Sequence, residues 1–125
     1  MPENLNKKIL IVEDDPDLVD IFAHKFKIEG FSVVTAKGGQ EGIAMVEAEK
    51  PDLILSDFLM VPMDGKEMAQ KLRAAGCQTP ITFLTNADNA DFIATFKPED
   101  HFDYLIKANT PIDQIVAKAK EKLGV

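Results

Sequence analysis

Five residues carry the chemistry of this sequence: the carboxylates Glu13, Asp14 and Asp57, the hydroxyl of Thr85 and the ammonium of Lys107. Each stands at or just after the end of a short apolar run. Ile9-Leu10-Ile11-Val12 precedes the acid pair, Leu53-Ile54-Leu55-Ser56 precedes Asp57, Ile81-Thr82-Phe83-Leu84 precedes Thr85, and Tyr104-Leu105-Ile106 precedes Lys107. Carboxylates brought close together repel, and partial burial adds an effective penalty of roughly several kcal/mol per ion. A hard divalent cation offsets that, and oxygen-only ligation with open positions suits Mg²⁺. Lys107 supplies a further positive charge and Thr85 a hydroxyl donor. Such a set is equipped for phosphoryl transfer: the cations neutralise the equatorial oxygens while one carboxylate attacks phosphorus in line. Asp57, ending an apolar run opposite the acid pair, is the best nucleophile of the three.

The elements that must position these groups alternate in kind. Runs rich in branched apolar residues predict strands at 8–12, 31–35, 53–56, 81–85 and 102–106. The first and third are nearly continuous in apolar residues, as central strands covered on both faces require. Helical spacing separates the strands. Leu18, Ile21, Phe22 and Phe26 form one stripe of a first helix, which Asp15 caps ahead of Pro16. Ile43 and Val46, with residues 47–50, mark a second helix that ends before Pro51. Met68, Ala69, Leu72 and Ala75 mark a third, stopping at Gly76. A short fourth helix is predicted over residues 88–96, which are crowded with poor helix formers. The last helix carries Ile112, Ile115, Val116, Ala119 and Leu123, with Thr110 as its N-cap and Pro111 at its first position. The βα unit therefore repeats five times, giving an α/β fold with a parallel sheet and helices on both faces. Ligands in such folds bind beyond the carboxyl ends of the strands, where all five chemical residues fall.

Composition narrows the function further. The chain has 125 residues, enough for one domain with a real core. Acidic residues outnumber basic ones by 21 to 14, for a net charge of −7. That balance argues against nucleic acid as the main partner, which calls for clustered Lys and Arg. No apolar run reaches the roughly 18–20 residues of a membrane span, and the polar start is unlike a signal peptide, so the expected setting is the cytoplasm. One cysteine, Cys77, leaves no internal disulfide and no multi-cysteine metal site. The run Gly38-Gly39-Gln40-Glu41-Gly42 follows the second strand but lacks the spacing of a dinucleotide-binding loop.

Taken together, the motifs Ile9 to Asp15, Pro51 to Asp57, Met63-Asp64-Gly65, Pro80 to Thr85 and Tyr104 to Lys107 resemble the receiver domains of two-component response regulators, over about residues 7–124. The acid pair, phosphoacceptor, hydroxyl and lysine keep that family's order and register. Asp14 lies 43 residues before Asp57, Thr85 lies 28 after it, and Lys107 lies 22 after Thr85. The resemblance implies a flavodoxin-like three-layer (βα)5 sandwich with strand order 2-1-3-4-5. It implies that Asp57 accepts a phosphoryl group from a phosphohistidine on a sensor histidine kinase or a histidine phosphotransfer protein. Asp14 and Asp57 would ligate Mg²⁺, with Glu13 acting through water and the Leu59 backbone carbonyl completing the set. Lys107 would pair with the phosphoryl group, Thr85 would move toward it, and Tyr104 would turn inward behind it. That switch would alter the surface of the fourth helix, fifth strand and fifth helix, where a downstream protein binds.

The chain also departs from that pattern. Val61 stands where proline is usual, with Pro62 one place later, so the loop after Asp57 is expected to run differently. Leu59 is apolar where a polar side chain would position a hydrolytic water, which predicts slow self-dephosphorylation. Asn86 follows Thr85 where a small residue is usual. Asp100-His101 replaces the usual Gly-Ala before strand five. Ala108 replaces proline after Lys107, and a cis bond without proline costs about 2.5–4 kcal/mol, so the Lys107–Ala108 peptide is expected to be trans. The overall expectation is a stand-alone signalling module without an output domain, monomeric or weakly dimeric on phosphorylation, and not an enzyme. A degenerate receiver that binds a partner without phosphorylation is one alternative. A hydrolase using an aspartyl phosphate is another, although Leu59 leaves it without a general acid.

Overall fold

Strand and helix alternate as the sequence pattern requires in a computed structural model that describes residues 7–85 and 97–125. The strands are β1 (Lys8–Val12), β2 (Ser32–Ala36), β3 (Leu53–Asp57), β4 (Ile81–Thr85) and β5 (Phe102–Ile106). All pair in parallel, in the order β2-β1-β3-β4-β5. The helices are α1 (Pro16–Ile28), α2 (Gly39–Glu49), α3 (Gly65–Ala74) and a C-terminal helix, Ile112–Leu123. The expected fourth helix, at 88–96, lies outside the described residues.

Alternation along the strands divides the core into two layers. Leu10, Val12, Ile54, Ile81 and Phe83 face α2 and α3, where Val46, Met68, Ala69 and Leu72 complete one cluster. Ile9, Ile11, Leu53, Leu55 and Leu84 face the opposite way, against Phe22, Ala23 and Phe26 of α1 and Ile115, Val116 and Ala119 of the C-terminal helix. Every residue of β3 is buried. This is the flavodoxin-like sandwich, and it sets Asp57 at the carboxyl edge of the central strand.

Local chemistry fixes the helix ends. Asp15 Oδ1 accepts the Asp17 N–H at 3.0 Å, with Pro16 opening α1, as the sequence indicates. Asp64 caps α3 in the same way, accepting the Glu67 N–H at 2.8 Å. Gly65 opens α3 because nothing larger fits: a Cβ there would lie 2.9 Å from the Asp57 carbonyl oxygen and 3.0 Å from the Phe83 ring. The Arg73 guanidinium closes the far side of the sheet. It lies 4.7 Å from the centre of the Phe102 ring and donates to the carbonyls of Asp100 and Cys77, anchoring the start of β5.

Several expected details differ. Ile21 is 53% exposed, and Ala23 takes its place in the buried stripe of α1, because the helix face turns far enough that 22, 23 and 26 meet the sheet. The second strand begins at Ser32 rather than Phe31, and Phe31 packs edge-on against Phe26 instead. Lys50 is not in α2 but closes it in a left-handed turn. Ala75 lies past the end of α3 and is exposed. Thr110 does not cap the last helix. Pro111 occupies the cap position, and the Thr110 hydroxyl donates backwards to the Ile106 carbonyl at 2.7 Å.

Candidate functional site

The carboxyl edges of β1 and β3 bring the acids together. Each of Glu13, Asp14 and Asp57 offers an oxygen within 4.8 Å of the others. They differ in exposure. Glu13 is 1% exposed and Asp57 9%, whereas Asp14 is open to solvent. The buried Glu13 is held from two sides: Oε2 accepts the Asp15 N–H at 3.2 Å, and Oε1 receives the Lys107 ammonium at 3.1 Å. The same ammonium lies 3.4 Å from Asp57 Oδ2. Lys107 therefore bridges the first strand's acid to the third strand's acid from the end of the fifth.

The chain delivers Lys107 there through a single turn of 3-10 helix, Lys107–Asn109, closed by the Thr110 hydroxyl on Ile106. The Lys107–Ala108 peptide is trans, as expected without proline, and among the described residues Val61–Pro62 is the one cis bond. Thr85 is buried at the end of β4, one step beyond the Leu84 that pairs with Asp57. It pairs in turn with Ile106, the residue before Lys107. Tyr104 lies two residues further back, half-buried against the cluster under α2 and α3. Leu59 is half exposed and lines, with Asp14, Met60, Val61, Pro62 and Asp64, a cavity of about 410 Å³ beside the acids.

The site is short of positive charge. Burial pushes the Glu13 carboxyl up to about 7. The Asp15 N–H and the Lys107 ammonium hold it back, while Asp57 and Asp14 push it further up. Partial burial acts against the charge on Lys107, but Glu13 and Asp57 outweigh it and hold that ammonium above its ordinary value. One lysine among three carboxylates leaves room for a second cation, and the all-oxygen donor set fits a hard divalent ion.

Two contributors have roles that the sequence pattern leaves unread. Ser56, fully buried, donates its hydroxyl to the Asp57 backbone carbonyl at 2.8 Å. Gly65 lets the start of α3 close on that carbonyl, and its N–H donates to the Phe58 carbonyl at 2.8 Å. A serine inside an apolar strand and a glycine after a capping aspartate were the available signals.

Comparison with known proteins agrees with this arrangement. A family model described as the response regulator receiver domain matches residues 9–120. The chain is 38% identical over 84 residues to the alkaline phosphatase synthesis transcriptional regulatory protein PhoP of Bacillus subtilis, covering 67% of this chain and 35% of that one. It is 32% identical over 106 residues to the transcriptional regulatory protein GlrR of Escherichia coli, covering 85% and 23%. The chain thus spans a third or less of the length of some of its curated relatives. Among solved structures it is similar to a CheY-like receiver domain protein of Methanospirillum hungatei, at 28% identity and a TM-score of 0.80 over 94% of each chain. It is also similar to the response regulator TrrA of Thermotoga maritima, solved in complex with Mg²⁺-BeF, at 25% identity and a TM-score of 0.79 over 94% of this chain and 99% of that one.

Proposed function

The chain belongs to the response regulator receiver domain family, and from that we propose that Asp57 is the phosphoacceptor of this two-component signalling domain. The observation that carries the reading is the Lys107 ammonium, 3.1 Å from Glu13 and 3.4 Å from Asp57, over three carboxylates within 4.8 Å of one another. An Asp57 carboxylate oxygen attacks the phosphorus of a phosphohistidine; a P–O bond forms, the P–N bond breaks, and the imidazole leaves with the electron pair. The incoming phosphoryl oxygens meet the Lys107 ammonium, and the Thr85 hydroxyl donates to one of them. Asp14, Asp57, Glu13 through water and the Leu59 carbonyl would hold Mg²⁺, which supplies charge neutralisation of the transferring group. That TrrA has been solved with Mg²⁺-BeF supports this choice of ion.

The donor is a sensor histidine kinase or a histidine phosphotransfer protein, and the exposed Leu59 and Val61 give the rim of the pocket apolar surface for it. Filling of the site draws Thr85 in and lets Tyr104 turn behind it, altering the surface around β5 and the C-terminal helix that a downstream protein reads. Leu59 offers no polar group to a hydrolytic water, so the phosphorylated state is long-lived.

Incubation with a small acyl phosphate and Mg²⁺, followed by intact mass measurement, tests this reading. One phosphoryl group should be gained, and Asp57→Asn should abolish the gain. Absence of any adduct would favour a phosphorylation-independent binding module, and multiple turnover of the acyl phosphate would favour a hydrolase.

A further inference from the structure

A second charge cluster stands away from the acid pocket, on the face of β5 that meets the C-terminal helix. Asp103 Oδ2 receives two ammonium groups, Lys118 Nζ and Lys122 Nζ, each at 2.9 Å. The two lysines are one helical turn apart, so a single carboxylate spans both. The other oxygen, Oδ1, accepts the backbone N–H of Tyr104 at 2.8 Å. β5 is an edge strand, with β4 on one side only. The Tyr104 N–H is thus held by a side chain that the C-terminal helix itself holds. Burial works against the Asp103 charge, yet Lys122, Lys118 and the Tyr104 N–H together carry its carboxyl below the ordinary range, as a firmly held anion requires. Beside it in register on β4, Thr82 brings a buried hydroxyl with no hydrogen-bond partner among the described residues.

We propose that Asp103 is a positioning residue that ties the backbone of Tyr104 to the C-terminal helix, with the Thr82 hydroxyl as the donor it takes when the two lysines let go. Residues 102–106 and the helix then shift together rather than separately. The tie is a property of the unmodified chain, while its use in signalling rests on the reading of Asp57 and Tyr104 given above. The Asp103 carboxylate has two settings, and the one with the lysines is occupied here.

Hydrogen exchange of the Tyr104 amide, read by NMR against the other β5 amides and against unfolding in urea, tests the tie without any phosphoryl chemistry. Asp103→Ala should speed exchange at Tyr104 about tenfold or more while exchange at Leu105 follows only the change in global stability. The double variant Lys118→Gln/Lys122→Gln should speed it several-fold, and Lys118→Arg/Lys122→Arg should restore it. Thr82→Val should leave the native rate unchanged but raise the rate further in the double glutamine background. Equal exchange in the native chain and Asp103→Ala overturns the proposal, as does failure of the arginine pair to rescue. No added effect of Thr82→Val in the glutamine background removes the second setting and so overturns that half. Acyl phosphate labelling of Asp103→Ala by mass is run in parallel. Retained labelling with unaltered Tyr104 exchange sinks the tie alone, and absence of labelling in the native chain sinks the phosphoacceptor reading alone.

Discussion

Two clusters in this molecule are built from the same two kinds of side chain in opposite proportion. At the carboxyl edge of the sheet, Glu13, Asp14 and Asp57 share one lysine, Lys107. Across β5, Asp103 alone takes two, Lys118 and Lys122. The first is left with excess negative charge and contains the most deeply buried carboxylate of the set, Glu13. The second closes on itself, with every Asp103 oxygen engaged by groups of the same chain. Burial of charge is costly without a partner. A chain that folds with the first arrangement is therefore poised to take up a cation, whereas the second needs nothing further. Ion pairs alone do not mark a functional site; the sign and size of the unbalanced charge do.

The largest expected difference between the clusters comes from removing a lysine. Lys107→Ala leaves Glu13 buried beside two other acids and should cost about 2 kcal/mol, less than a fully buried pair because Lys107 is partly exposed. Urea unfolding at neutral pH measures it. A loss no greater than that of a surface lysine would mean that the pocket tolerates its charge without help.

Next in size is the response to a divalent ion. Mg²⁺ should raise the unfolding midpoint of the native chain, as any ligand that binds the folded state alone does. Asp14→Asn should stabilise the metal-free protein slightly through relief of repulsion, which solvent screens because Asp14 is exposed, and should blunt the Mg²⁺ effect. Asp103→Asn should leave the Mg²⁺ response intact. Thermal unfolding with and without Mg²⁺ separates these outcomes, and equal Mg²⁺ stabilisation in native and Asp14→Asn protein would break the contrast between the clusters.

How far sequence reaches follows from the same contrast. The acid pocket was legible because strand ends are readable: apolar runs locate them, and the parallel topology gathers their next residues at one edge. Asp57 and Lys107 meet although 50 residues separate them. Asp103 was not legible in this way. It looks like a polar residue on an edge strand, and its partners sit 15 and 19 residues later on a helix whose rotation no local pattern fixes. Ile21 failed for the same reason. Apolar spacing allowed it a place in the buried stripe of α1, but the angle at which that helix meets the sheet gave the place to Ala23. Thr110 had the right side chain for a cap, yet the turn that carries Lys107 required its hydroxyl for Ile106. Tertiary geometry decided each of these cases.

The Asp103 cluster makes a pH prediction with a definite sign. A carboxyl held below its ordinary value of 3.8 contributes stability that is fully present above that pH and lost as pH falls through the folded value. The difference in stability between the native chain and Asp103→Asn should therefore be constant from pH 7 to about 4.5, at no more than about 1 kcal/mol because solvent screens this partly exposed cluster, and shrink below pH 4. Urea unfolding at stepped pH checks it. A difference that grows on acidification would mean that the lysines do not stabilise the anion.

The smallest effect is the one that tests the stoichiometry. Two ammonium groups on one oxygen are redundant if either alone keeps Asp103 anionic and oriented. Lys118→Gln and Lys122→Gln taken singly should each cost no more than about 0.5 kcal/mol, the range of a partly exposed pair, because the remaining lysine stays in place. Together they should cost more than the sum of the two, since only the double change leaves the carboxylate without a cation, and contacting groups are where additivity fails. A double-mutant cycle in urea reads this directly. Strict additivity would mean that each lysine acts independently on Asp103, and one single variant matching the double would mean that a single lysine holds it. In that case the cluster would be an ordinary one-to-one pair, and the contrast with the acid pocket would rest on the excess at Glu13, Asp14 and Asp57 alone.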